Sequence, residues 1–261
     1  MSSYEAKPKE HKSKYMRPLI TALRTLTLLP VPGSDANALT AALPFFPAVG
    51  LIIGLLVAGV LYTFSLGGWM PGAGISAMIA AVWITRGLHV DGLADVMDAL
   101  GAGRTREHRL AIMKDPHTGA FGVIAIVCDL LLKAAALAQL ASLSRWMLVI
   151  LPFVVSRSVQ VLLAVSLPYA RPEGGKAACF VETARPLHFV LASVVATVIC
   201  TVMGGLTGII LLLQGLIGGV LLRMWMKHHF GGVTGDLLGL SNEVCETGLL
   251  VVAAFTCPAV L

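Results

Sequence analysis

The stretch Thr85-Arg86-Gly87-Leu88-His89-Val90-Asp91-Gly92-Leu93-Ala94-Asp95-Val96-Met97-Asp98 interrupts a chain otherwise dominated by apolar residues. Charged residues make up only 13% of the sequence, yet three aspartates fall here at spacings of four and three. On a helix turning about 100° per residue, Asp91, Asp95 and Asp98 lie within an arc of about 60°. Like charges so spaced destabilise an isolated helix. In a soluble protein such a face reads as solvated. Between membrane-like flanks solvation is restricted, so a bound cation is the better resolution, and the stretch reads as a functional face.

The flanks set the fold class. Hydrophobic residues are 57% of the chain and the mean hydropathy is +0.85, well above the usage of soluble domains. The expected fold is all-α, a polytopic transmembrane helical bundle of about seven spans, with six as the alternative. Residues 1–17 are polar and mostly basic, lack the apolar core of a secretory signal, and read as a disordered cytoplasmic tail. Residues 18–261 read as a single integral membrane catalytic domain. Within it, 18–29 suits an interfacial amphipathic helix ended by Pro30 and Pro32, with Arg24 facing lipid phosphates.

Candidate spans run from about Leu43 to Leu66, Gly119 to Leu140 and Arg145 to Leu167. Ala73 to Thr85 is too short to span unless its helix continues into the acidic stretch. Leu187 to Leu222 is too long for one span, and Gly204-Gly205 marks a hairpin in it. Thr247 to Leu261 completes a span only if its helix begins earlier, near Leu240. Placing the basic tail in the cytoplasm and alternating sides puts 86–117, 170–186 and 223–246 on that face, with most of the remaining Lys and Arg. The opposite loops hold only Arg145. The five cysteines are scattered, without metal-knuckle spacing, and read as apolar fillers.

Carboxylates suit Mg²⁺, which is usually held by one or two of them plus substrate phosphates, and the chemistry implied is metal-assisted phosphoryl transfer. Asp91, Asp95 and Asp98 are the candidate metal ligands. The run Gly231-Gly232-Val233-Thr234-Gly235-Asp236 opens a second acidic region that continues through Asn242, Glu243 and Glu246. Its turn residues Gly232, Thr234 and Gly235 are candidates for presenting N–H groups to a phosphate. Arg86, Lys114 and Arg171 are candidate diphosphate contacts, or ordinary orientation charge. Arg157 lies inside a span, where a guanidinium needs a partner, and is expected to point at an acidic cluster. Asp129 and Lys133 read as a structural pair. His89 and His117 suit phosphate contacts or ligand roles but show no metal spacing. His228-His229 reads as an interfacial pair. No P-loop, Rossmann, HExxH or GxSxG signature is present.

Gly87 to Asp95, with Arg109 to Asp115 and Gly119 to Gly122, resembles the cobalamin synthase family, the adenosylcobinamide-GDP ribazoletransferases. Leu29-Pro30-Val31-Pro32, Tyr169-Ala170-Arg171-Pro172-Glu173-Gly174 and Gly231 to Gly239 are similar to three further segments of that family, in its order. Pro116-His117 and the longer N-terminal tail depart from its pattern. The resemblance implies Mg²⁺ dependence and attack of the ribazole 3′ hydroxyl on the cobinamide-side phosphorus of adenosylcobinamide-GDP, with release of GMP. Catalysis is expected of Asp91, Asp95, Lys114, Arg157 and Asp236. Substrate contacts fall to His89, Arg86, Arg171, Gly232, Thr234, Gly235 and Glu243. Expected partners are adenosylcobinamide-GDP, α-ribazole or its 5′-phosphate, membrane lipid, and a second copy or other cobalamin-assembly enzymes, without nucleic acid. The expected location is the cytoplasmic membrane of a prokaryote. Two rivals stay open: a CDP-alcohol phosphotransferase, disfavoured because Leu93-Ala94-Asp95 follows Asp91-Gly92, and an ion-coupled transporter, for which no inverted repeat is visible.

Overall fold

The computed structural model describes residues 10–256. The chain runs through α1 (Glu10–Leu26), a 3-10 stretch (Leu39–Phe45), α2 (Phe46–Ser65), α3 (Met70–Ile84), α4 (Leu88–Ala102), α5 (Arg106–Ile112), α6 (Ala120–Ser142), α7 (Trp146–Ser166), α8 (Ala178–Val181), α9 (Pro186–Phe230) and α10 (Gly235–Thr256). Among the described residues there is no strand; one isolated bridge joins Tyr169 to Val233. Five helices are long and apolar enough to cross a membrane, or up to six when the bent pair α3 and α4 counts as one.

Helix α1 begins inside the stretch expected to be a disordered tail, where Glu10, Lys12, Lys14, Met16 and Arg17 are good helix formers. Residues 1–9 lie outside the described residues, as do 257–261. The helix of α3 does not continue straight into the acidic stretch. Arg86 (φ 58°) and Gly87 (φ 63°) both adopt the left-handed conformation, and α4 leaves at 89° to α3. The hairpin expected at Gly204-Gly205 is present: Gly205 is non-helical (φ 53°, ψ −132°), and Gly208 packs directly on the Cys200 carbonyl. Helix α10 already begins at Gly235. Asn242, Glu243 and Glu246 are therefore buried inside an apolar span, not in the cytoplasmic stretch 223–246 where the charge pattern put them.

α7 is the central post, buried along almost its whole length and packed by α2, α9 and α10. Gly50 and Gly54 of α2 sit against backbone of Phe153 and Ile150, so these small residues let α2 and α7 touch directly. At the centre stands a charge network within otherwise apolar helices. Lys133 of α6 pairs with Glu243, lies 3.0 Å from Glu246 and 3.7 Å from Asp129. Arg157 of α7 pairs with Glu246, donates to Ser156 Oγ at 2.9 Å and stands 5.5 Å from the Phe153 ring centroid. Asn242 Nδ2 donates to Glu243 Oε1 at 3.1 Å and Glu246 Oε2 at 3.4 Å. Arg157 thus points at an acidic cluster, as expected. The pair Asp129–Lys133 is one edge of a larger network joining α6, α7 and α10.

Two expected outcomes test this packing. Gly50→Val should lower stability by about 2 kcal/mol or more, the scale of overpacking, while Gly59→Val, which meets nothing within 4 Å, should be near neutral; thermal unfolding in detergent reads both. Lys133→Met leaves the buried Glu243 carboxylate without a cation, while Glu246 keeps Arg157, and should cost about 3–5 kcal/mol. Adding Glu243→Met, which leaves the Arg157–Glu246 pair intact, should recover a large part of that loss, and failure to recover would show that charge balance is not what the lysine supplies.

Candidate active site

Helix α4 is pinned by close contacts at both ends of its polar face. A Cβ on Gly92 would come within 2.6 Å of the Asp236 carbonyl, and one on Gly239 within 3.1 Å of the His89 carbonyl. Only glycines let α4 cross the first turns of α10 at this distance. The crossing brings together residues far apart in sequence. Asp95 stands within reach of the charges of Asp236, Asp91, Asp98 and Arg171, and Asp236 within reach of Asp91. Arg171 donates to Asp236 Oδ2 at 2.7 Å and reaches the Met113 carbonyl at 3.4 Å.

Asp98 is held differently from the other two aspartates of the arc. Its carboxylate accepts the amides of Gly119 (2.7 Å) and Gly122 (2.8 Å), which closes the N-terminus of α6. Both oxygens are engaged, so Asp98, expected as a metal ligand alongside Asp91 and Asp95, also ties α4 to the start of α6. Asp91 is exposed and Asp95 half-buried. Among the described residues no three His, Cys, Asp or Glu side chains converge closely enough to hold a metal by themselves. The surplus of Asp91, Asp95 and Asp236 over the single guanidinium of Arg171 still fits a divalent cation, provided other ligands complete its shell.

Of the second acidic region, expected to share one cavity with Asp91–Asp98, Asp236 is the member that lies near Asp91 and Asp95. Glu243 and Glu246 turn inward to Lys133 and Arg157, so Glu243 is not placed on an open substrate face, and Arg157 lies in the core. His89 is buried between the two regions, with Nδ1 3.9 Å from Glu243 Oε1 and neither ring nitrogen hydrogen-bonded. In the glycine turn, the Gly231 and Val233 amides already donate to Lys227 and Pro168 carbonyls. The Thr234 hydroxyl caps α10 by accepting the Leu237 amide at 3.2 Å. Gly232 packs on the Pro168 carbonyl, so the turn joins the 168–170 and 232–234 segments.

Lys114 pairs with Glu173 across the surface, and the hydrogen bond from Lys114 holds the Glu173 carboxyl below its usual range. His117 is turned to Asp115: its backbone and ring N–H groups hold that carboxyl low as well. Arg86 instead lines a cavity of ≈ 580 Å³ beside Asp91, with Arg24 and Lys176 among the other walls. Arg24 is largely committed to its own loop, donating to the Val31 and Gly33 carbonyls and lying 3.3 Å from Asp35. Lys176 was missed by sequence reading, since an isolated loop lysine carries no motif. The breadth of Lys133's network was missed because its partners lie more than a hundred positions away.

A family profile described as cobalamin-5-phosphate synthase matches residues 18–254. The adenosylcobinamide-GDP ribazoletransferase of Chlorobium phaeobacteroides is 45% identical over 92% of this chain and 98% of its own length. That of Chlorobaculum tepidum is 42% identical over 90% and 94%, and that of Syntrophobacter fumaroxidans 38% over 90% and 96%. No solved structure matches. The segments these relatives share with the chain include those that meet around Asp91 and Asp236, and the chain belongs to the cobalamin-5-phosphate synthase family.

Proposed function

We infer that the chain joins adenosylcobinamide-GDP to α-ribazole or its 5′-phosphate, forming adenosylcobalamin or its 5′-phosphate and releasing GMP. The observation that carries this reading is convergence. Leu28, next to the Leu29–Pro32 segment, donates to the last carbonyl of α3 (2.8 Å); the 169–174 segment pairs with 231–236 through Ala170 and Arg171; and α4 packs on Asp236. Segments scattered over the chain thus meet at one end of the bundle, where an enzyme acting on a charged diphosphate would need them.

In the reaction, the ribazole 3′ oxygen forms a bond to the cobinamide-side phosphorus while the bond from that phosphorus to the bridging oxygen breaks. The bonding pair stays with GMP, and the hydroxyl proton passes to the carboxylate set. Arg171, already oriented by Asp236, is placed to hold a non-bridging phosphate oxygen. Asp91 and Asp95, with Asp236, would hold Mg²⁺ together with substrate phosphate oxygens, the usual shell for this ion. When bound, Mg²⁺ neutralises charge on the diphosphate.

A count of seven crossings is proposed from the five helices long and apolar enough to cross a membrane, the bent pair α3–α4 as one more, and the fold of α9 into two limbs at Gly205. The site end carries Arg86, Lys114 and Arg171, whereas Arg145 alone marks the opposite loops, and this asymmetry supports a cytoplasmic site by the positive-inside tendency. The location proposed with it is the cytoplasmic membrane.

Asp91→Asn should lower turnover at least about 100-fold, the scale of losing a preorganised electrostatic group, while leaving the protein membrane-inserted. Product analysis with adenosylcobinamide-GDP, ribazole and Mg²⁺ reads this, and near-normal activity would remove Asp91 from the ligand set. Activity in detergent also separates this reading from a transporter, which needs a sealed compartment. A cysteine placed at His117, in a background lacking the native thiols, should resist impermeant reagents in right-side-out vesicles and react in inverted ones.

A further inference from the structure

The cavity beside Asp91 is not explained by the carboxylate set. Its ≈ 580 Å³ lie between α1, the bend of α3 into α4, α6 and the loop before α8. Two of its walls are cations for which no polar side-chain partner is present among the described residues: Arg86 and Lys176, both exposed. Arg86 occupies the left-handed region, a conformation uncommon for a residue with a side chain. Such strain persists where the surrounding structure imposes it, and functional sites are where it collects. Here it sets the bend from which the guanidinium reaches the cavity. The remaining lining includes apolar Val82 and Ile126, so the space pairs an apolar wall with a cationic one.

Asp91 belongs both to this cavity and to the carboxylate set, so a ligand occupying the cavity can extend a phosphate to the reacting centre. Of the chemical groups in the inferred reaction, the guanosine phosphate is the one that leaves with new negative charge. The volume lies within the range of about 300–1,000 Å³ usual for small-molecule sites, suited to a nucleoside phosphate and much smaller than a corrinoid needs. We propose that this cavity is the subsite for the guanosine phosphate half of the substrate, with Arg86 and Lys176 binding its phosphate and receiving the charge that develops on the bridging oxygen as GMP departs. The proposal rests on the ribazoletransferase reading for the identity of the ligand. An anionic lipid headgroup offers the same phosphate chemistry, and the test separates the two.

The full chain in detergent is titrated with GMP, and KM is measured for both substrates, in wild type, Arg86→Gln and Lys176→Gln. Each substitution should weaken GMP binding about tenfold, the size of one hydrogen bond to a charged group. KM for adenosylcobinamide-GDP should rise similarly, with KM for ribazole within about twofold of wild type. Lys176 lies in an exposed loop, so its variant remains informative if Arg86→Gln fails to fold. Unchanged GMP affinity in a folded Lys176→Gln would overturn the proposal. So would a loss confined to retention of phosphatidylglycerol in nanodiscs with GMP binding intact, which assigns the cations to lipid. If wild type binds GMP through these residues yet makes no cobalamin product, the reaction assignment fails while the subsite stands.

Discussion

Two cations inside an apolar bundle impose the constraint on which the rest depends. Lys133 and Arg157 cannot remain charged in such surroundings without carboxylates in contact, and Glu243 and Glu246 are the groups that reach them. The two pairs are formally neutral as a set, but desolvation offsets much of the attraction, so the network is weak grounds for net stability. Its consequence is geometric. Because Lys133, Arg157 and Glu246 belong to three different helices, only one rotation of α6, α7 and α10 satisfies all of them. Sliding α10 by one residue would turn Glu243 and Glu246 away from their partners and leave ions uncompensated in the core.

With α10 so fixed, the position of α4 follows. Gly239 and Asp236 are presented at a set rotation, and Gly92 of α4 lies against the Asp236 backbone, where a Cβ would not fit. His89 then falls beside Glu243 on the buried side, while Asp91 and Asp95 turn towards the open end. The bend at Arg86 and Gly87 supplies the 89° needed to lay α4 across the bundle instead of through it. Asp98 fixes the far end by holding the first amides of α6, where a negative charge also complements the helix dipole. The arc of three aspartates is therefore placed unequally: Asp98 ties the start of α6, while Asp91 and Asp95 are left at the open end.

Much of this was legible in the sequence, and the boundary is physical. Apolar runs gave α2, α6 and α7 to within about three residues, because a span must satisfy its backbone internally and so is written as continuous hydropathy, whereas α9 and α10 carry polar residues at their ends and run beyond the expected bounds. The hairpin at Gly205 and the pairing need of Arg157 were legible for the same reason. The inward turn of Glu243 and Glu246 was not. Spacing places residues on one helical face, but which neighbour that face meets is decided by packing between distant segments. Asp98 illustrates the same limit: its spacing matches Asp91 and Asp95, and only the position of Gly119 and Gly122 distinguishes its role. Lys176 had no local signature at all.

The incomplete carboxylate set has its own logic. A site with enough protein ligands to close around a divalent cation would bind the ion without substrate and gain nothing selective from the diphosphate. Asp91, Asp95 and Asp236 are opposed by one guanidinium and repel one another at the edge of an apolar bundle, where uncompensated charge is costly. In the proposed reaction, a diphosphate arriving with Mg²⁺ would bring the missing cation together with oxygens to complete its shell, so ion and substrate would bind with mutual reinforcement. By linkage the coupling is reciprocal: the ion should raise affinity for the diphosphate substrate by the same factor that the substrate raises affinity for the ion. Relief of carboxylate repulsion is then a part of the binding energy that depends on the diphosphate being present, which favours the activated corrinoid over a product that lacks it.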